Sequence, residues 1–266
     1  MASAIFDVLL APFGHERAWF DLLLWPVLAG VFALVVYKRL SNQAGIQRTK
    51  NRIAARLYEI RLFRHDPLQV LRSTGGIFLH NGVYIGHNLI PLAVLLVPML
   101  AVLAQLVAHY AFEPAPVGAV ELLEVRLDPR AGVSPRDVRL ETPPGVVVEA
   151  PPVRTPDGEI FWRLRAEAPG DHQLTLAVGG ETLTKGWAVG GEARKVPVKR
   201  TRTWEAFLYP GEPALPRDSA VETIALAHPA RSLGPLPGGE LGVLATFFGV
   251  SLLAGFGLKG LFGVTL

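Results

Sequence analysis

The chain has 266 residues, half of them apolar, with 26 Lys and Arg against 23 Asp and Glu and no cysteine. The missing cysteine excludes disulfides and thiolate metal sites, and a net charge of only +3 does not point to nucleic acid. This apolar content, with 22 Pro and 27 Gly, fits a membrane protein that also carries a substantial polar domain.

Residues 1–19, containing "IFDVLLAPFG", read as an amphipathic extracytoplasmic segment. Residues 20–37, "FDLLLWPVLAGVFALVVY", form the first predicted span. It has no basic stretch before it and "YKRLSNQ" after it, the pattern of a retained span rather than a cleaved signal peptide.

Residues 38–88 form a basic helical hairpin. In "QAGIQRTKNRIAARLYEIRLF" the residues Ile46, Ile53, Leu57 and Ile60 share one helical face, and Arg48, Arg52 and Arg56 stack at i, i+4 on another. At "RHDPLQV" Asp66 is placed to cap a second helix, with Pro67 at its first position and Gln69 at the third. This helix is expected to run through Leu71 and to loosen at Gly75-Gly76, since paired glycines weaken helices.

Residues 89–112 form the second span, with no Asp, Glu, Lys or Arg from Leu89 to Phe112. About 20 apolar residues cross a hydrocarbon core of about 30 Å, so this stretch is long enough. Pro91 is expected in the first turn, where a missing N–H costs little; Pro98 is expected to free the Val94 carbonyl and kink the helix. Such a kink would leave a gap between spans one and two at the cytoplasmic side.

Residues 113–238 change texture to short alternating runs separated by Pro and Gly: "VELLEVRLDP", "RDVRLETPPGVVVEAPPV", "GEIFWRLRAEAPG", "DHQLTLAVGGETLTKGWAV" and "SAVETIALAHPAR". They predict an extracytoplasmic immunoglobulin-like β-sandwich with Phe161, Leu164, Leu174, Leu176 and Val178 in its core. The basic run "EARKVPVKRTRTW" reads as a solvated loop that could also face lipid, with a docking patch for an acidic partner as the sharper alternative. His172 and His228 stand alone and read as structural surface residues; no set of side chains has metal-ligand or nucleophile spacing. The expectation is a non-enzyme without cofactor or metal. Residues 239–260 form the third span, in which Gly249, Gly255, Gly257 and Gly260 favour close helix packing, and residues 261–266 form a tail.

Between the first two spans lie nine Lys and Arg against Glu59 and Asp66, which places this loop in the cytoplasm. The N-terminus is then outside and the C-terminus inside. The expected fold is an α+β membrane protein of a bacterial inner membrane: three transmembrane helices, a cytoplasmic hairpin and an outer β-sandwich.

This order of parts resembles the insertase superfamily of bacterial YidC, mitochondrial Oxa proteins and archaeal three-span relatives. The resemblance rests on "IFDVLLAPFG", on "YKRLSNQAGIQRTKNRI" and on "NLIPLAVLLVPMLAVL", and covers residues 5–112 and the final span. It implies a factor assisting membrane-protein insertion or assembly. Client or ribosome contacts would fall to Arg48, Arg52 and Arg56, with Ser41, Asn88 and Gln105 as polar groups near or within the spans. Two departures stand out. Bacterial members keep an arginine in the first core span, where this chain has Leu34, and in YidC the large outer domain precedes the core instead of interrupting it.

The expected partners are membrane lipids, nascent membrane proteins or the ribosome, and other envelope proteins, but not DNA. The competing expectation is a structural or accessory subunit of an envelope complex, with the sandwich as its binding module.

Overall fold

The computed structural model describes residues 18–234 and 238–264. The expected N-terminal segment therefore lies outside the described residues except for Ala18 and Trp19. The described chain is α+β, with helices α1 (Ala18–Leu40), α2 (Gln43–Leu62), α3 (Pro67–Tyr110) and α4 (Gly239–Phe262), and antiparallel strands between α3 and α4. Helices α1, α3 and α4 are each long and apolar enough to cross a membrane. Two units divide the chain. One comprises residues up to Leu23 with Ala101–Phe247; the other comprises Leu24–Leu100 with the residues from Phe248 onward.

In the first unit the strands are β1 (Val120–Leu127), β2 (Arg139–Glu141), β3 (Val146–Val148), β4 (Val153–Arg154), β5 (Glu159–Ala166), β6 (Gly170–Val178), β7 (Glu181–Val189), β8 (Lys199–Thr201) and β9 (Val221–Leu226). They form a six-stranded sheet in the order β3-β5-β1-β9-β8, with β4 also on β5, and a three-stranded sheet β2-β6-β7. Period-2 alternation sends Leu123 and Val125 of β1, Leu164 of β5, Leu174 and Leu176 of β6 and Trp187 of β7 into one shared core. Burial of these apolar faces supplies the main driving force for the domain.

The alternation corrects one expected core residue. Ile160, Trp162, Leu164 and Ala166 are the inward set of β5, which leaves Phe161 on the opposite face, half-buried. A β-bulge at Arg126/Leu127 makes Leu127 pair with Val221 and shifts the inward phase of β9. His172 and His228 are buried rather than on the surface. His172 Nε2 donates to the Ala168 carbonyl at 2.8 Å. Burial, followed by the Lys185 ammonium, lowers the His228 pKa to about 4.

The basic run was expected as a loop, yet Lys199–Thr201 is an edge strand on β9. Its cations have fixed partners. Arg194 pairs with Asp171 and Lys199 with Glu205, both at 2.7 Å, and Arg202 pairs with Asp128. The run is thus an ion-paired edge. Segment 196–212 also closes over β7, where fully buried Lys185 donates to Glu212 and the Pro197 carbonyl. Gly186 makes this approach possible, because a Cβ there would sit 3.0 Å from Pro197 Cγ.

The first turns of α1 and the last turns of α3 pack into this same unit. Tyr110 and Asp21 are fully buried, and the Tyr110 hydroxyl donates to Asp21 Oδ2 at 2.6 Å. The Arg231 guanidinium lies 5.8 Å from the Tyr110 ring. In the second unit, α1 and α4 cross closely at Gly30, where an added Cβ would meet the Ser251 carbonyl oxygen at 2.6 Å. Leu34, Tyr37, Ile46, Leu95 and Val264 form an apolar cluster there.

Candidate functional site: the α2–α3 helical pair

The pair begins at Asn42, whose side chain accepts from Gly45 N at 2.9 Å and so satisfies an orphan N–H of α2. Three residues into the helix, Ile46 is fully buried and anchors α2 in the cluster with Leu34 and Leu95. After the turn at Phe63–His65, Asp66 caps α3 as expected, accepting from Leu68 N at 3.0 Å and Gln69 N at 3.1 Å.

The expected break at Gly75-Gly76 is absent: α3 continues for 44 residues, from Pro67 to Tyr110. The second hairpin helix and the second span are therefore one helix. The reason lies in packing across the seam. A Cβ on Gly76 would meet Arg56 Nε at 3.0 Å, so glycine here makes room for the arginine. That arginine donates to Glu59 Oε2 at 2.8 Å, and the same oxygen accepts from the Ser73 hydroxyl at 2.8 Å. Hydrogen bonds from Arg56 and Ser73 hold the Glu59 carboxyl below the ordinary carboxylate range. Farther along the seam Lys50 Nζ lies 5.8 Å above the Tyr84 ring. Asn88 donates to the Tyr84 carbonyl at 2.6 Å and accepts from the Tyr37 hydroxyl. Tertiary bonds of this kind outweigh a glycine propensity cost of about 1 kcal/mol per residue.

Continuity changes the setting of the prolines. Pro91 lies 24 residues into α3 instead of in a first turn, so it frees the His87 carbonyl just as Pro98 frees that of Val94. Pro26 does the same within α1. Within their unit, α1 and α3 are tied together at the level of Leu34 and Leu95, which share one cluster, and of Tyr37 and Asn88, which share a hydrogen bond.

The sequence-predicted site residues do not all converge. Arg48 is exposed and donates to its own Ala44 carbonyl at 3.2 Å, Arg52 is exposed without an ion-pair partner among the described residues, and Arg56 is committed to Glu59. Ser41 accepts from Gln43 at the end of α1. Asn88 belongs to the seam. Gln105 belongs to the other unit, where it is buried and accepts from Lys195 Nζ at 3.4 Å.

What brings function into view is the outward side of the pair. Tyr58 is 72% exposed, Leu62 74% and Leu71 69%, with Arg52, Arg61 and Arg72 exposed beside them on the same two helices. Leu57, which shares the apolar face of α2 with Ile46, is 56% exposed. Glu59–Ser73 and Tyr37 were not anticipated; a lone acid in an arginine-rich helix was the available signal for the first. No group of His, Cys, Asp and Glu suited to a metal ion occurs among the described residues. No family profile, curated protein or solved structure matches this chain.

Proposed function

We propose that the chain is an insertase-like membrane factor that assists insertion or assembly of membrane proteins, with the α2–α3 pair as its client-contacting part. In this reading the pair lies in the cytoplasm, the β-domain is an outer sandwich, and α1, α3 and α4 cross a bacterial inner membrane with the N-terminus outside. The observation that carries the reading is the unbroken α3. Its 44 residues span about 66 Å, twice the need of a bilayer core. A basic, partly apolar surface is thus built directly onto a transmembrane helix, where an emerging apolar segment with its anionic ribosomal surroundings would first be met.

The Tyr37–Asn88 hydrogen bond between α1 and α3 and the apolar burial of Leu34 favour a second reading, a dedicated subunit of an envelope complex. Intramembrane charge is usually kept for function, and at the position of the family's arginine this chain uses packing instead.

Site-specific photo-crosslinking in cells from Tyr58, Leu62 and Arg52 separates the two. Transient adducts to many nascent membrane proteins support the insertase-like role, with buried Gln105 as a silent control. A single persistent adduct from the same positions means the subunit reading is right and the first is wrong.

A further inference from the structure

Within the β-domain, among the described residues, exposed aromatic side chains are confined to one short turn: Trp204 at 74% and Phe207 at 49%. They belong to the 3₁₀ turn Trp204–Phe207, opened by Thr203, whose hydroxyl accepts from Glu205 N at 3.3 Å. The turn is held firmly from behind. Lys199 pairs with Glu205 at 2.7 Å and lies 5.1 Å above the Tyr209 ring, and Arg202 is fixed by Asp128 and the Ser219 carbonyl.

Its seat identifies what it faces. Leu208 and Tyr209, immediately after the turn, close a narrow seam with Val107, Ala108 and Phe112 at the end of α3. Burial, followed by the Glu240 carboxylate in the first turn of α4, raises the Tyr209 pKa. The turn is therefore bracketed by the ends of two helices that are long and apolar enough to cross a membrane, both within the same unit. At the level of such ends lies the headgroup layer, where Trp and aromatic rings are favoured because one end can be dry and the other wet.

We propose that the Trp204–Phe207 turn is a membrane-interface anchor, which places Trp204 and Phe207 in the headgroup layer and pins the β-domain against the bilayer. The occupant of this apolar surface is lipid. The inference requires only that α3 and α4 span the membrane and is independent of the insertase-like reading.

Because the chain has no cysteine, single substitutions Trp204→Cys and Phe207→Cys can carry an environment-sensitive fluorophore in the full-length protein. Val153→Cys, at a 63% exposed position on β4, serves as the control. The host is a nanodisc of phosphatidylethanolamine and phosphatidylglycerol, in which quenching by headgroup-nitroxide lipids is compared with quenching by aqueous iodide. At 204 and 207 the expected result is a blue shift, strong nitroxide quenching and weak iodide quenching, with the reverse at 153. Emission at 204 and 207 matching the control would overturn the proposal. A blue shift without lipid quenching would overturn it too, because a protein would then cover the turn. A decrease in nitroxide quenching of the native indole fluorescence in unlabelled Trp204→Phe protein, against the remaining signal of Trp19 and Trp25 on α1 and with an unchanged circular dichroism spectrum, provides support without a bulky label.

Discussion

The β-domain and the α2–α3 pair handle buried polarity and exposed apolarity in opposite ways. In the β-domain Trp187, Leu164 and Leu174 are fully buried, and even a lysine, Lys185, is enclosed with a carboxylate and two carbonyls as partners. Along the pair, one seam of Ile46, Arg56–Glu59–Ser73 and Lys50–Tyr84 is organised while Tyr58, Leu62 and Leu71 face outward. Both regions are made of regular elements, so the difference is not one of order. It separates a domain whose inward side chains, polar ones included, are enclosed in its own core from a helical pair whose outward apolar groups contribute little to folding.

The largest effect should come from opening the β-domain's buried ion pair. Glu212→Ala leaves the Lys185 ammonium enclosed without its counter-charge and should cost about 3–5 kcal/mol. Thermal unfolding of the full chain in detergent, followed by tryptophan fluorescence, reads this, and Lys185→Met combined with Glu212→Leu should recover most of the loss. Burial lowers the Lys185 pKa to about 8 from 10.5. Between those values the unfolded chain binds more protons, so this group's contribution to stability rises with pH from about 8 to 10.5, and its penalty is complete below about 8. The slope should flatten in Lys185→Met.

A smaller loss is expected at the helix crossing. Gly30→Leu drives a Cβ into the Ser251 carbonyl and should cost about 1–3 kcal/mol, visible as a lower melting temperature of the helical unit. Asp66→Ala removes the cap of α3 and should cost about 1 kcal/mol, read as faster hydrogen exchange confined to the first turn. Least of all, Tyr58→Ser with Leu62→Ser should leave stability within about 0.5 kcal/mol of the parent while abolishing crosslinks from neighbouring Arg52. A large destabilisation there would erase the distinction between the two regions.

The strand pattern was legible because half-buried sheets write their faces into alternate residues. Phe161 lies three residues from Leu164, and that odd spacing puts the two on opposite faces of β5. Edge strand β8 was hidden by its shortness and by Pro197, which together made a charge run look like a loop. Glu212 is 27 residues from Lys185, and no local signal pairs them. The same limit explains α3: Gly75-Gly76 reads as a weak point locally, while the room that Gly76 leaves for Arg56 exists only once two helices meet. Of the candidate site, the arginine ridge and Asn88 were found from composition, whereas their division between seam and open face depends on packing.

The length of α3 also has a mechanical meaning. From Asn88, level with the end of α1, to Pro67 lie 21 residue steps of about 1.5 Å, an arm of about 32 Å beyond the span. To the extent that the helix turns as one body, a change of tilt by about 10°, well inside the range that transmembrane helices adopt, sweeps the far end through about 5–6 Å. Were α3 to cross a bilayer, as its length and apolarity allow, events there and motions of the distant helical turn would share a single lever.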